Sequence, residues 1–456
     1  MHSWYAPDAM VSNSKDITDD ELPYATGDIT GTGGRMKLRD EDFVVEEVPL
    51  YEAGGSGTHV YFTIEKRGLT TPAAIRSLAK ALNRKPRDFG YAGLKDAHGI
   101  TRQRLSLEHV SFEKVEGIDV PGIRVLDLDR HTNKIKLGHL TGNRFHVRVR
   151  DVRRSAVESA TRVMETLIAR GVPNYFGPQR FGIRNDNVDV GLAVLRGDFA
   201  RALSFMLGRP ADHERPDVQK ARRLFDEGRH VESIDAWPNR LSSQRKVHRV
   251  FHDSGGDARK AWRAVDQTLR RLILSAVQSQ VFNEVLASRL QEYDQIRQGD
   301  VAWKHANGSC FLVEDADKEA TRCVTFEISA SGPLPGKKMK TAEGEPGRIE
   351  TDCMERLGLI ARSTDAQSSR PSLSSRPTSS LRPAPSFRPD DIVDKMDGAR
   401  RPFRVPIKDA SIDFSRDRDG DFLAMTFQLP AGAYATSVTR EICKDKGRYH
   451  HLRRFG

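Results

Sequence analysis

Residues 144–170 read RFHVRVRDVRRSAVESATRVMETLIAR, and the hydrophobic period changes inside that stretch. Phe145, Val147 and Val149 alternate with His146, Arg148 and Arg150, the period of two that puts apolar side chains on one face of a strand. The opposite face is basic and suited to RNA phosphates. From Ser155 the apolar residues Val157, Met164, Leu167 and Ile168 fall at helical spacing, and Gly171 and Pro173 end the pattern. The same mixture recurs upstream. DFVVEEV (Asp42–Val48) and HVYFTIEKR (His59–Arg67) have the β-branched and aromatic content of strands, with AGGSG as the turn between them. TTPAAIRSLAKALN reads as a helix capped by Thr71, with Pro72 in its first position and Ile75, Leu78, Ala79 and Leu82 on one face. A longer helix is expected from Ala261 to Tyr293, with Val265, Leu269, Leu272 and Ala276 as its apolar stripe. Strands and helices mix without a regular βαβ rhythm, so the fold class is α+β.

The chain has 456 residues, and 73 Lys+Arg against 63 Asp+Glu leave a net charge of +10. This excludes an acidic, solvating chain and points to a polyanionic partner. The length suits about two or three domains. The longest uncharged window, Phe422 to Val438, contains Pro430 and Gly432 and is too short to span a membrane. The N-terminus lacks the basic start and apolar run of a secretory signal, so a cytoplasmic location is expected. Cys310, Cys323, Cys353 and Cys443 show no C-x-x-C pairing, which disfavours a disulfide framework or a thiolate zinc site. GTGG at Gly31 is not G-x-G-x-x-G, GPLPGKK at Gly332 is one residue short of a P-loop, and H-E-x-x-H is missing. No nucleotide cofactor and no metal are expected. Arg-Pro recurs at 370, 376, 382 and 388 among serines, and residues 362–389 are expected to be a disordered surface insert.

Carboxylates remain as candidate chemistry. In GYAGLKDAHGITRQRLSL, Asp96 stands between Lys95 and His98 in a glycine-flanked loop. A carboxylate in a basic pocket stays ionised and serves as a nucleophile; the competing role is that of a turn initiator. Asp40, Glu41 and Asp42 with Glu46 and Glu47 could instead suggest a metal-dependent nuclease, although alternation puts them largely on a solvated strand face. Phe145 is either a core aromatic or a face on which an extruded base stacks. The basic run Arg440–Gly456 is either a phosphate contact or a solvated tail.

Taken in order, these strings resemble the TruD family of tRNA pseudouridine synthases, archaeal-type members included. GTGGRMKLRDEDFVVEE resembles the family's opening, a Gly-rich turn, a lysine and then P-E-D-F-x-V-x-E, with Asp40 in place of the proline. AGLKDAHGITRQ resembles its A-G-x-K-D-x-x-x-x-T-x-Q loop, and GNRF its next motif. PNYFGPQRFG (Pro173–Gly182), SAVQSQVFNEVLASR, SGPLPG and FQLPAGAYATSVTREI follow in the family's order. The resemblance implies a pseudouridine synthase catalytic domain with a bent, largely antiparallel mixed sheet, interrupted by an inserted α+β TRUD domain. Residues 1–34 would be a polar lead, 35–171 and 400–456 the catalytic domain, and 172–399 the insertion. It implies isomerisation of a tRNA uridine, expected at position 13, with tRNA as partner and no metal or organic cofactor. Asp96 takes the catalytic position, as nucleophile or as the base that removes a sugar proton, with Thr101 and Gln103 as loop partners. Lys37 falls on the active-site lysine, Phe145 would stack on the flipped uracil, Asn143 would hydrogen-bond near Asp96 or the base edge, and His98 would support the loop. A non-catalytic RNA-binding relative and a metal-dependent nuclease are the alternatives. The oligomeric state stays open.

Overall fold

The computed structural model describes residues 22–95, 97, 99–182, 184–360 and 396–444. Asp96, His98, the Arg-Pro repeat and the end of the basic C-terminal run lie outside the described residues. The chain divides into two compact units, residues 23–174 with 404–444 and residues 175–360 with 396–403. The divisions fall a few residues beyond the 171/172 and 399/400 boundaries expected from sequence.

In the first unit, β1 (Arg35–Met36), β2 (Phe43–Pro49) and β3 (His59–Arg67) lead to α1 (Thr71–Ala81). They are followed by β4 (Gly90–Tyr91), β5 (Ile100–Glu108), α2 (Phe112–Glu116), β6 (Ile123–His131), β7 (Leu140–Arg150), α3 (Ala156–Arg170) and β8 (Val172–Pro173). The second unit holds α4 (Asn187–Leu195), α5 (Phe199–Leu207), α6 (Pro216–Asp226), α7 (His230–Ala236), α8 (Ser242–Asp253), α9 (Ala258–Ala264) and α10 (Gln267–Ser288). Its sheet comprises β9 (Val301–Lys304), β10 (Cys310–Leu312), β11 (Ile328–Leu334) and β12 (Ala399–Pro402) in the order β10-β9-β11-β12, with α11 (Ala316–Val324) and α12 (Gly344–Arg356) between strands. The chain returns to the first unit as β13 (Arg404–Val405), β14 (Lys408–Asp417), β15 (Gly420–Pro430) and α13 (Ala435–Cys443).

The main sheet runs β14-β15-β7-β2-β5-β3-β6, with β1 on β7 and β4 on β5. Only β2 and β5 pair in parallel among its described pairs, so the sheet is mixed and largely antiparallel. Phe145, Val147 and Val149 point to the core, as alternation predicts, where Val163, Met164 and Leu167 of α3 and Val438 and Ile442 of α13 meet them. The apolar face of α3 is turned from the expected one: Ala160 and Val163 are buried while Ile168 is 46% exposed. A second cluster joins Ala74, Ile75, Leu78 and Ala79 of α1 to Val60, Phe62 and Ile64 of β3 and Leu105 and Leu107 of β5. Phe43 and Val45 of β2 belong to the cluster under α3 and α13, while α1 covers β3 and β5.

Two local expectations change. Thr70, not Thr71, caps α1, its hydroxyl accepting from Ala73 N at 3.3 Å. The long helix expected over 261–293 breaks at Val265, because the Asp266 carboxylate accepts from Thr268 N and Leu269 N and starts α10 afresh. Thr26 is 1% exposed, and the Glu441 carboxylate accepts from Ala25 N, Thr26 N and Thr26 Oγ1 at 3.0, 3.1 and 2.7 Å.

Candidate active site

The loop between β4 and β5 is held on both sides of Asp96. Before it, Lys95 N donates to Thr71 Oγ1 at 2.9 Å, and Thr71 N donates to the Lys95 carbonyl at 3.4 Å. The Thr71 hydroxyl donates to Gln103 Oε1 at 2.7 Å, while Gln103 Nε2 donates to the Gly93 carbonyl at 3.4 Å. Thr71 and Gln103 are 1% and 0% exposed, so solvent does not compete for these bonds. After it, Gly99 has φ +114°, and a Cβ there would stand 2.3 Å from the Phe43 carbonyl oxygen. Glycine is required at that position both by backbone conformation and by space.

The Lys95 side chain meets Glu47 of β2, Nζ to Oε2 at 2.8 Å, with side-chain exposures of 6% and 2%. The other Glu47 oxygen accepts from Arg104 N at 3.3 Å. Asn143 lies opposite Glu47 in the β2–β7 register. Its Oδ1 is buried without a partner among the described residues, as is Thr101 Oγ1. Gly142 lets β7 approach β15 here, since a Cβ would stand 2.1 Å from the Leu429 carbonyl oxygen. Lys37, with φ +56°, follows β1 and places Nζ 4.1 Å from the centroid of Phe43. Phe43 contacts Phe145 at 6.2 Å between centroids, and Phe145 contacts Phe427 at 5.4 Å. Phe145 is 6% exposed and belongs to the core, so stacking on a base would use the small part of its ring that remains accessible.

Two groupings therefore emerge from the expected residues. Lys37 and Phe145 are linked through Phe43, and Asn143 stands across from the Glu47–Lys95 pair that adjoins Asp96 in sequence. Glu47, Thr71 and Arg104 were not singled out for these contacts by sequence. The available signal was the last glutamate of the DEDFVVEE string, whose charge has no meaning until its cross-strand partner is known.

The reverse sheet face differs from the basic surface that alternation suggested. Arg102 bonds Glu46 and also donates to Glu65 at 3.0 Å, and Arg124 reaches Glu65 at 3.4 Å. Arg148 and Arg150 meet Asp417 at 3.2 and 2.8 Å, and Arg150 Nε donates to fully buried Asp42 at 2.8 Å. These hydrogen bonds from Arg150 hold the Asp417 carboxyl well below the usual carboxylate range. Arginines placed opposite carboxylates across strands carry less net charge than the alternation alone suggested. The same pairing bears on the acidic cluster: Glu41 is held by Arg67 at 2.6 Å, Asp42 by Arg150, Glu46 by Arg102 and Glu47 by Lys95. Carboxylates spent on separate cations do not converge on a metal, and no metal-competent group of three such side chains occurs among the described residues.

Over residues 21–383 and 384–442 the chain matches the family model of tRNA pseudouridine synthase D, TruD. The chain belongs to the TruD family. A TruD relative named tRNA pseudouridine synthase D, from Geobacter metallireducens, is 43% identical over 424 residues, covering 93% of this chain and 98% of its own. Another of that name, from Thermus thermophilus, is 33% identical over 428 residues and 93% of each chain. The crystal structure of a TruD from Methanosarcina mazei superposes with a TM-score of 0.75 at 26% identity, covering 93% of this chain and 96% of that one. The pseudouridine synthase fold implied by the motifs is thus the fold of this TruD chain. No helix among the described residues is long and apolar enough to cross a membrane.

Proposed function

We propose that this TruD chain converts uridine 13 of tRNA to pseudouridine, with Asp96 as the catalytic carboxylate. The names of its relatives support tRNA as the substrate. The observation that carries the role of Asp96 is the anchoring of its loop at Lys95 and Gly99, through contacts in which the hydroxyl, amide and ammonium groups are all committed. Such anchoring of the chain on either side of Asp96 is what a positioned nucleophile needs and a mere turn does not. The reaction breaks the N1–C1′ bond, turns the uracil and joins C5 to C1′, with the C5 proton lost to solvent and a proton taken up at N1. It is redox-neutral and transfers no external group, so the side chains can suffice. Asn143 would accept from an N–H of the base edge with its unpaired Oδ1 or donate to the carboxylate through Nδ2, Lys37 would balance charge beside the site, and Phe145 would support the base.

The test is tritium release from tRNA carrying uridine labelled at C5. The wild-type chain should release one equivalent from a transcript bearing uridine 13 and none when that base is cytidine. Asp96→Asn should bind the tRNA with nearly unchanged Kd and release no tritium, since it keeps size and polarity but lacks the charge. Near wild-type turnover by Asp96→Asn would reject the assignment. Binding without release by the wild-type chain would leave the RNA-binding relative as the correct description.

A further inference from the structure

We propose that Leu50, Leu94 and Leu137 form an apolar contact surface for the unstacked bases beside the target uridine, with Arg87, Lys134 and Lys136 meeting the adjoining phosphates. This rests on the reading that tRNA is the substrate. The three leucines are 53%, 64% and 68% exposed. Single exposed leucines are ordinary, but these come from segments bonded to one another. Leu50 N donates to the His139 carbonyl at 3.4 Å, and Gly138 N donates to the Ala92 carbonyl at 2.8 Å. A Cβ at position 93 would stand 3.8 Å from Leu140 Cδ1. The turn after β2, the approach to Lys95 and the turn before β7 thus meet, and each carries one exposed leucine.

These segments are pinned from several sides. His139 N closes a turn onto the Lys136 carbonyl at 3.1 Å, with Leu137 inside it. Tyr51 Oη is bonded to His139 Nδ1 at 2.8 Å, Tyr61 Oη donates to the Asn133 carbonyl at 2.7 Å, and Ile135 N donates to Ser106 Oγ at 2.9 Å. Tyr61, Ala92 and Ile135 form a small core on which Leu140 packs. A leucine held in water gains nothing from the fold itself; its gain comes when a partner covers it. The charges around the leucines select that partner. Lys134 Nζ donates to the Arg87 carbonyl at 2.8 Å, which brings these two cations together, and exposed Lys136 adjoins Leu137 in the turn. None of the three joins a carboxylate in an ion pair among the described residues. Apolar faces bordered by negative charge are what unstacked nucleotides present. When a base leaves its stack, its neighbours lose a contact face, and leucine methyls can take that place. Leu94 stands two residues before Asp96, so the surface begins in the loop of the proposed carboxylate.

The experiment compares wild type with Leu50→Ser/Leu137→Ser and with Lys136→Gln, measuring tRNA Kd by filter binding across a salt series and the urea midpoint by circular dichroism. The double variant should keep its urea midpoint, because both side chains are exposed, and should bind tRNA at least about tenfold more weakly. The slope of log Kd against log salt should stay unchanged, since leucines displace no counterions. Lys136→Gln should reduce that slope by about one. Leu137→Met keeps an apolar side chain and should bind like wild type. A double variant with Kd within about twofold of wild type overturns the proposal. So does a wild-type dimer in sedimentation that the leucine changes dissociate, because a second copy would then cover the surface. Should the double variant fail to fold, Leu137→Ser decides alone: weakening by about threefold or more sustains the proposal, and unchanged Kd rejects it. The failure of the functional reading looks different. A wild-type chain that does not bind tRNA removes both, whereas binding without tritium release rejects the isomerase and leaves the leucine comparison intact.

Discussion

Acidification should weaken the helical unit through one histidine. His248 of α8 is fully buried, and its Nδ1 receives the indole N–H of Trp237 at 3.3 Å. An indole nitrogen only donates, so Nδ1 carries no proton. The proton is on Nε2, which donates to His230 Nδ1 of α7 at 3.1 Å. The Ser233 hydroxyl beside them gives its own proton to the Ala221 carbonyl at 2.6 Å. Phe225 of α6 closes the cluster with an apolar ring 5.0 Å from His248, and Arg222 of the same helix is paired with Glu214 at 2.9 Å. Burial, then His230 and His252, push the His248 imidazole from its ordinary value of 6.5 down to about 4, and burial lowers His230 as well. The unfolded chain therefore binds protons more readily, and stability present above pH 6.5 is lost as the pH falls toward 4. Between pH 7 and 4.5 the His248 contribution to that loss is about 2 to 3 kcal/mol, or about 1 to 2 M in the urea midpoint. The described tryptophans, Trp237, Trp262 and Trp303, all lie in residues 175–403, so their fluorescence follows this unit alone. His248→Gln can still accept from Trp237 and donate to His230 but does not titrate, and its midpoint should fall less on acidification by that amount. Equal pH dependence in the two proteins would refute the argument.

Phe145→Ala should cost about 3 to 5 kcal/mol in unfolding of the first unit, because the ring is 6% exposed between Phe43 and Phe427. A loss below about 1 kcal/mol, measured by circular dichroism in urea, would show that the ring faces the pocket instead of the core. Thr70→Ala should cost about 1 kcal/mol through the lost cap of α1 and leave the single-turnover rate unchanged. Thr71→Ala should both destabilise, by about 1 to 3 kcal/mol for each orphaned partner, and slow the reaction, because Lys95 N and Gln103 Oε1 lose their bonds beside Asp96. Equal rates in the two threonine variants would disconnect that clamp from catalysis.

Much of the fold was legible because its signals are local. Alternation over Phe145–Val149 needs only neighbours in sequence, and β3 spans the residues its β-branched composition predicts. Errors arose where a competing local bond prevailed. Val265 continues an apolar stripe, yet the Asp266 side chain satisfies two free amides of α10 and starts a new helix at that point. Thr70 and Thr71 are both plausible caps before Pro72, and only the buried Gln103 across the sheet determines which hydroxyl is left for the helix. In α3 the helical period was read correctly but its phase was not, because the phase depends on where Val438 and Ile442 of α13 stand.

The electrostatics of the site were less legible for a related reason. Sequence counts charges one by one, whereas their effect depends on register. Arg148 and Arg150 look like part of a basic surface until the end of β14 brings Asp417 to them. Glu46 and Glu47 look like two members of one acidic run. They point to opposite faces of β2, where one meets Arg102 on the solvated side and the other meets Lys95 in the buried centre of the sheet. A strand converts adjacency in sequence into separation by a whole sheet, and pairing converts a distance of 48 residues into a contact of 2.8 Å.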